Sequence, residues 1–251
     1  MDLGLTDKVA LVTGASRGIG AAIAQQLARE GCRVAICARG KEALEALAAT
    51  LVPAKTLCIA TDLLVPRAAD DLVAKVIAHF GRLDIVVHNL GGSRDGVSDD
   101  AWAHTLDINL GTGVRVCRPA IAQMKTQGSG SIVFITSVAG THAGGSKPQY
   151  NAAKAAEIMY ARSLGEQLAP FGIRANAVSP GSILFSGGSW DKRQHEMPDK
   201  IASFVKENFP LQRFGTVDEV ARVVTFIASD AASLVTGANI AVDGSQLYPG
   251  I

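Results

Sequence analysis

Tyr150 and Lys154 stand four residues apart in Tyr150-Asn-Ala-Ala-Lys154. At the start of a helix that spacing sets a phenol and an ammonium on one face. A phenol with an ordinary pKa of about 10 is a poor acid or base at neutral pH, and a neighbouring cation favours its phenolate. The pair reads as a proton donor and acceptor tuned by a lysine, a weak signal alone that draws its meaning from context. Near the other end of the chain, Thr13-Gly-Ala-Ser-Arg-Gly-Ile-Gly20 follows an apolar run and opens a helical pattern. Gly14, Gly18 and Gly20 permit a tight turn, and with Ser16, Arg17 and Ile19 they form a helix N-terminus whose free N–H groups face a pyrophosphate. The GxxxGxG spacing departs from the GxGxxG of the standard dinucleotide fold, and read alone the octet is a strand-to-helix turn. The next apolar run ends in Cys37-Ala38-Arg39, where an NAD-selective site places an acid. Guanidinium groups at Arg17 and Arg39 suit a ribose 2′-phosphate, which favours NADP over NAD; the bland alternative makes both arginines solvated surface groups.

Short β-branched runs alternate with helical segments in a way that can position these groups. Residues 9–13 read as a strand, and Ile19, Ile23 and Leu27 mark one face of the helix after it. The pattern repeats as strand 33–38, helix 41–51, strand 55–60, helix 70–80 and strand 83–88. Strands at 131–136 and 173–178 flank a long helix near 151–168, and a helix over 217–228 precedes a last strand at 238–242. Continuously apolar strands indicate a sheet buried on both faces, hence an α/β fold with a parallel sheet flanked by helices. No linker, repeat or low-complexity tract divides the 251 residues. Residues 182–213, rich in Gly, Ser, Phe and mixed charge, break the regularity and read as an insertion over the carboxyl ends of the sheet.

The octet at 13–20 strongly resembles the cofactor turn of short-chain dehydrogenases/reductases. The resemblance continues in order through Asp62, Asn89, Asn109, Ser137, Tyr150, Lys154 and Pro180-Gly181, across nearly the whole chain. It implies a single doubly wound, Rossmann-like domain over 1–251, with 182–213 as a substrate lid; Phe185, Trp190 and Phe204 read either as an apolar inner face of that lid or as ordinary packing residues. It implies reversible hydride transfer between a nicotinamide and a carbonyl or secondary alcohol, with Tyr150 as acid in reduction and base in oxidation. In that scheme Lys154 also binds the nicotinamide ribose, and Ser137, thirteen residues before Tyr150, holds the substrate oxygen. Asn109 completes the tetrad and supports a water relay from Lys154. Asp62 meets the adenine, Asn89 ties neighbouring strands, Gly91 lets the cofactor approach, and Pro180 and Gly181 lie beside the nicotinamide. Taken without the resemblance, Ser137 is a turn former or cap, Asp62 caps the next helix, and Asn109 is a polar residue in a helix.

The chain also departs from the family pattern. His88 and Leu90 stand in His88-Asn-Leu-Gly91 where members usually read Asn-Asn-Ala-Gly, and Phe185 replaces a frequent threonine, with Ser182 or Ser186 as stand-ins. The broad resemblance is to 3-oxoacyl carrier-protein reductases, yet Gly128 and Phe171 occupy positions where those enzymes present arginine to the acidic carrier. The expected substrate is therefore a small ketone, a sugar-like or alicyclic alcohol, or an acyl thioester of coenzyme A. An NAD-dependent alcohol or sugar dehydrogenase and a non-catalytic NADP-binding protein are the alternatives.

With 24 Lys+Arg against 23 Asp+Glu, the formal charge of +1 provides no net field toward nucleic acid or an anionic membrane, so any anion is held locally. Expected partners are a small-molecule substrate and, by resemblance, copies of the chain in a homotetramer built on the helices containing Asn109 and Tyr150. A content of 48% hydrophobic residues excludes disorder. Cys32, Cys37, Cys58 and Cys117 form no CxxC pair and read as reduced core residues. Five histidines lack metal-ligand spacing, so no metal is expected, while His142 is a candidate pocket residue. Asp2 and Asp7 do not suit a signal peptide, the terminal LYPGI carries no prenylation or peroxisomal signal, and the uncharged span 126–146 is too rich in Gly, Ser and Thr for a membrane helix. These features point to the cytoplasm.

Overall fold

Runs of Val, Ile, Leu and Ala too apolar to face water on either side assemble into one parallel sheet. The computed structural model describes residues 2–143 and 147–246; Met1, Gly144–Ser146 of the uncharged span and the terminal LYPGI lie outside them. β1 (Val9–Thr13), buried at every position, is followed by α1 (Gly18–Arg29), β2 (Arg33–Ala38), α2 (Lys41–Thr50), β3 (Thr56–Ala60) and α3 (Ala68–Phe80). β4 (Ile85–His88), α4 (Asp99–Leu106), α5 (Thr112–Gln127), β5 (Gly130–Ile135), α6 (Pro148–Leu168) and β6 (Ile173–Pro180) come next. The chain continues through β7 (Ile183–Leu184), α7 (Ser189–Glu196), α8 (Pro198–Asn208), β8 (Gly215–Thr216), α9 (Val217–Ala228) and β9 (Asn239–Val242).

The sheet order is β3-β2-β1-β4-β5-β6-β9, with every neighbouring pair parallel. Strand alternation sends Ala10 and Val12 into one layer with Ile23 and Leu27 of α1, Leu44 of α2 and Val220 and Val224 of α9. Val9 and Leu11 enter the other, with Leu72 and Val76 of α3, Val116 and Met124 of α5 and Leu164 of α6. This is the doubly wound α/β fold. Its order reverses between β1 and β4, and there the loops leaving the two strands diverge and open a crevice at their carboxyl ends.

Several boundaries differ from the sequence reading. β4 begins at Ile85 because Leu83 and Asp84 serve the approach: the Leu83 N–H donates to Gln127 Oε1 at 3.0 Å, and Asp84 accepts from the Val9 N–H at 2.8 Å. α6 begins at Pro148 rather than near 151, with proline in the first turn where no N–H is needed, so Tyr150 is inside the helix. Residues 99–127, to which periodicity assigned no element, hold α4 and α5 joined by a π-type turn, Asp107–Gly111, that shifts the register of the apolar face. The irregular 182–213 segment contains β7, α7 and α8. Trp190 stacks on Phe204 at 5.5 Å between ring centres, and Phe209 and Phe214 complete an aromatic cluster beside them.

All four cysteines are free, and burial pushes the thiols of Cys32, Cys37 and Cys117 up to about 12. Among the described residues no helix is long and apolar enough to cross a membrane.

Among the described residues, Phe134 is the largest fully buried side chain. Its ring lies 5.6 Å from that of His88 and 5.5 Å from that of Tyr160, and a Cβ on Gly113 would come within 2.8 Å of it. Phe134→Ala is expected to lower unfolding free energy by about 3–5 kcal/mol in denaturant titration, the transfer and cavity cost of a buried ring. A loss under about 1 kcal/mol would mean that the neighbours collapse into the space.

Candidate active site

The site begins where β1 stops. Gly14, at φ +62°, turns the chain out of the strand, and Gly18, at φ +59°, leads it into α1. The Thr13 hydroxyl accepts the backbone N–H groups of Asn89 and Leu90 at 3.1 and 3.2 Å. In return the Asn89 amide donates to the Thr13 and Gly14 carbonyls at 3.2 and 3.0 Å. The ends of β1 and β4 are thereby strapped together. A Cβ on Gly20 would lie 2.4 Å from Asn89 Nδ2 and 2.6 Å from the Gly14 oxygen, so only glycine lets α1 start this close to the turn.

Arg17 is the extended N-cap of α1 and makes no side-chain cap, which leaves the first N–H groups of the helix available to a ligand. A cleft of about 630 Å³ opens there, lined by Gly14, Ser16, Arg17, Ile19, Arg39, Asp62, Asn89, Gly91, Tyr150 and Lys154 among others. These features fit a dinucleotide. Arg39 is exposed just past β2, and no acidic residue stands at that strand end. Asp62 lines the cleft, and it does not cap the next helix: its Oδ1 accepts the Leu64 N–H at 3.0 Å in the turn after β3, whereas α3 is entered through Arg67 with no side-chain cap. Gly18 and Gly20 do not line the cleft: Gly20 is buried under Asn89, and the Phe185 ring lies where a Gly18 Cβ would come within 2.8 Å of it.

A second pocket of about 600 Å³ adjoins the first and is lined by Ser137, His142, Lys147, Tyr150, Pro180, Gly181, Phe185, Trp190, Arg193 and Phe204 among others. Tyr150 and Phe185 belong to both spaces. Ser137 Oγ accepts the Ala139 N–H at 3.2 Å, so it caps the turn after β5 and also faces this pocket.

Behind Tyr150, Lys154 is 2% exposed, and its Nζ donates to the Ile135 carbonyl at 3.0 Å and meets Glu157 Oε2 at 2.7 Å. Burial alone would pull the ammonium's pKa down, but Glu157 and Tyr150 together hold it above the ordinary lysine value. Burial would likewise raise Glu157, but Lys154 and His88 hold it below the ordinary carboxylate value. Asn109, in the π-type turn, is fully buried and lines neither pocket. Its amide donates to the Gly92 and Thr105 carbonyls, both at 2.7 Å. A Cβ on Gly91 would meet Asn109 Oδ1 at 2.7 Å and Lys154 Nζ at 3.0 Å, which places both groups against the same stretch of backbone.

Sequence reasoning passed over Glu157. The only signal was an acid three residues after Lys154 on the same helix, a common surface pairing that burial turns into part of the site. Arg193, whose guanidinium lies 5.1 Å from the centre of the Trp190 ring, and Lys147, paired with Asp95 at 2.6 Å, were also unread as pocket residues.

The sequence family described as enoyl-(acyl carrier protein) reductase matches residues 14–245. The 3-oxoacyl-[acyl-carrier-protein] reductase of Synechocystis sp. is 37% identical over 252 residues, covering 97% of this chain and 98% of its own. Among solved structures, L-sorbose reductase from Gluconobacter frateurii, complexed with NADPH and L-sorbose, superimposes with a TM-score of 0.93 at 30% identity, covering 98% of this chain and 99% of its own. An NAD+-bound xylitol dehydrogenase gives 0.88 at 30% identity, covering 95% and 98%.

Asn89→Ala removes the two amide hydrogen bonds that strap the turn to β4, and each is worth about 1 kcal/mol. The variant is expected to unfold about 1–3 kcal/mol more easily in denaturant titration. Unchanged stability would show that the Thr13 hydroxyl holds the two strands by itself.

Proposed function

As the chain belongs to the short-chain dehydrogenase/reductase family, we propose that it is an NADPH-dependent reductase of small ketones or acyl thioesters, with Tyr150 as the proton donor. One observation carries this reading: Tyr150 stands on the wall between a cleft suited to a dinucleotide and a pocket suited to a substrate, with a buried ammonium behind it. Arg17 and Arg39 on the cleft, with no acid at the end of β2, support a 2′-phosphate and hence NADP.

The turn at residues 14–19, with Arg17 and Arg39, would hold the dinucleotide, whose nicotinamide would supply the hydride for carbonyl reduction or accept it in alcohol oxidation. The Ser137 hydroxyl orients the substrate oxygen by hydrogen bonding, and Tyr150 passes its proton to that oxygen as negative charge develops there. Lys154 holds positive charge behind the phenol, and Asn109 braces the backbone at Gly92 against it. In oxidation the same phenol takes the proton. Residues 182–213 act as a lid: Arg17 donates to the Gly187 carbonyl at 3.2 Å, and Phe185 covers the start of α1, so the segment bears on the phosphate turn and the substrate pocket together.

Gly128 closes α5 in a left-handed conformation, and Phe171 is exposed beneath Lys125, which lies 4.1 Å from its ring centre. Neither supplies an arginine for an acidic carrier, which favours a free ketone or a coenzyme A thioester. A homotetramer assembled on α5 and α6, whose Val114 and Met159 are exposed, and residence in the cytoplasm complete the reading.

Two measurements test it on a panel of cyclic ketones, keto sugars, diketones and 3-oxoacyl thioesters. Tyr150→Phe is expected to reduce kcat at least ~100-fold, the contribution of a positioned general acid, while NADPH affinity by fluorescence titration changes little. NADPH turnover that survives the substitution would assign the proton to another group. Arg39→Ala is expected to lower the preference for NADPH over NADH at least ~10-fold, the loss of one charge-assisted contact to phosphate. An unchanged preference would remove Arg39 from the cofactor site.

A further inference from the structure

Glu157 lies three residues past Lys154 on α6 and is 0% exposed, as is His88 at the end of β4. Glu157 Oε2 is 2.7 Å from Lys154 Nζ, and Oε1 is 3.4 Å from His88 Nδ1, both as charge contacts rather than well-aligned hydrogen bonds. On its far side, His88 Nε2 lies 2.9 Å from Thr112 Oγ1. The Thr112 hydroxyl in turn lies 2.7 Å from the Ile108 carbonyl, to which it can donate.

A buried carboxylate persists only when it is paired, and Glu157 is paired on both sides. The charged or titratable groups that act on Lys154 are Glu157 and Tyr150, and those that act on Glu157 are Lys154 and His88. From the turn before α5 and from α5 itself, Asn109 and Thr112 contribute an amide and a hydroxyl, neither of which titrates. An ammonium has three N–H donors. Lys154 directs one to the Ile135 carbonyl, and the Glu157 carboxylate lies against the ammonium at 2.7 Å on the side away from the phenol's cleft. By the resemblance, His88 also stands where the family usually has asparagine.

We propose that Glu157, gripped by His88, is a positioning residue for the proton chemistry of Tyr150: it keeps the Lys154 ammonium charged and fixed behind the phenol. The inference rests on the reading of Tyr150 and Lys154 as the acid–base pair. Without the carboxylate, burial is no longer offset, and the amine gives up its proton at lower pH.

The test uses Glu157→Gln, which preserves shape and removes charge, and His88→Asn, which keeps the carboxylate and removes its clamp. Carbon-13 NMR of labelled lysine in the ligand-free protein, with Lys154 assigned through Lys154→Met, reads the ammonium without reference to turnover. In wild type Lys154 is expected to titrate above the ordinary lysine value of about 10.4. In Glu157→Gln the midpoint is expected to fall by at least ~1 pH unit, and in His88→Asn by less in the same direction. The alkaline limb of kcat for NADPH-dependent ketone reduction is expected to move down in parallel. A Lys154 titration that does not move in whichever variant folds would overturn the proposal. If wild type lacked Tyr150-dependent turnover, the reductase reading would fail, and the lysine titration would still decide whether Glu157 sets the charge of Lys154.

Discussion

The contact on which the site depends is the reciprocal strap between β1 and β4. Two parallel strands that are neighbours in the sheet but far apart in sequence end side by side, and beyond their last ladder bonds nothing in a parallel sheet holds the emerging loops. The Thr13 hydroxyl and the Asn89 amide supply that hold, each bonding to the backbone of the opposite strand end. Because the amide also reaches Gly14, the glycine turn is fixed to the same point, and Gly20 brings α1 down onto it. Ligand groups on either side of the crevice are then referred to one rigid junction.

Around that junction the structure places polar groups in two distinct surroundings. Those facing the cleft, Arg17 and Arg39, are exposed and cost little to maintain in water. Those behind Tyr150 are withdrawn from water: Lys154, Glu157, His88, Asn109 and Thr112 are all buried, beside Phe134 and the aliphatic side chains of one core layer. Buried polar groups of this kind need partners: Lys154, Asn109 and Thr112 find hydrogen bonds on β5, the π-type turn and His88, and Glu157 is held by the charge of Lys154. The irregular turn is what brings Asn109 within reach of Gly92, since its amide hydrogen-bonds both the local helix backbone and the loop after β4.

Much of the scaffold could be read in the residue order. The α9 helix matches the expected 217–228, because its capping box of Thr216 and Glu219 and its strong apolar period state where it starts and which face it buries. The β1 and β2 strands match as well, since unbroken aliphatic runs bounded by glycine and charge leave no competing pattern. Over 99–127 the sequence implies a helix around Asn109 only, and periodicity gives it no bounds, because a π-type turn interrupts the helical run and splits its apolar stripe. The 182–213 segment read as irregular because α7 and α8 are short and polar outside, and their aromatic residues are too widely spaced to show a period.

The types and order of the chemical groups were determined by the sequence alone: a glycine turn after the first strand, arginines in place of an acid, and a tyrosine and lysine four residues apart, because these follow from local spacing and backbone freedom. Which groups share a space was decided by the tertiary structure. Tyr150 opens on two pockets, Phe185 lies over the start of α1, and Glu157 meets His88 across 69 residues of chain. Burial and charge pairing between distant segments depend on how helices pack on the sheet, and an acid three residues from a lysine looks the same in sequence whether it faces water or the interior.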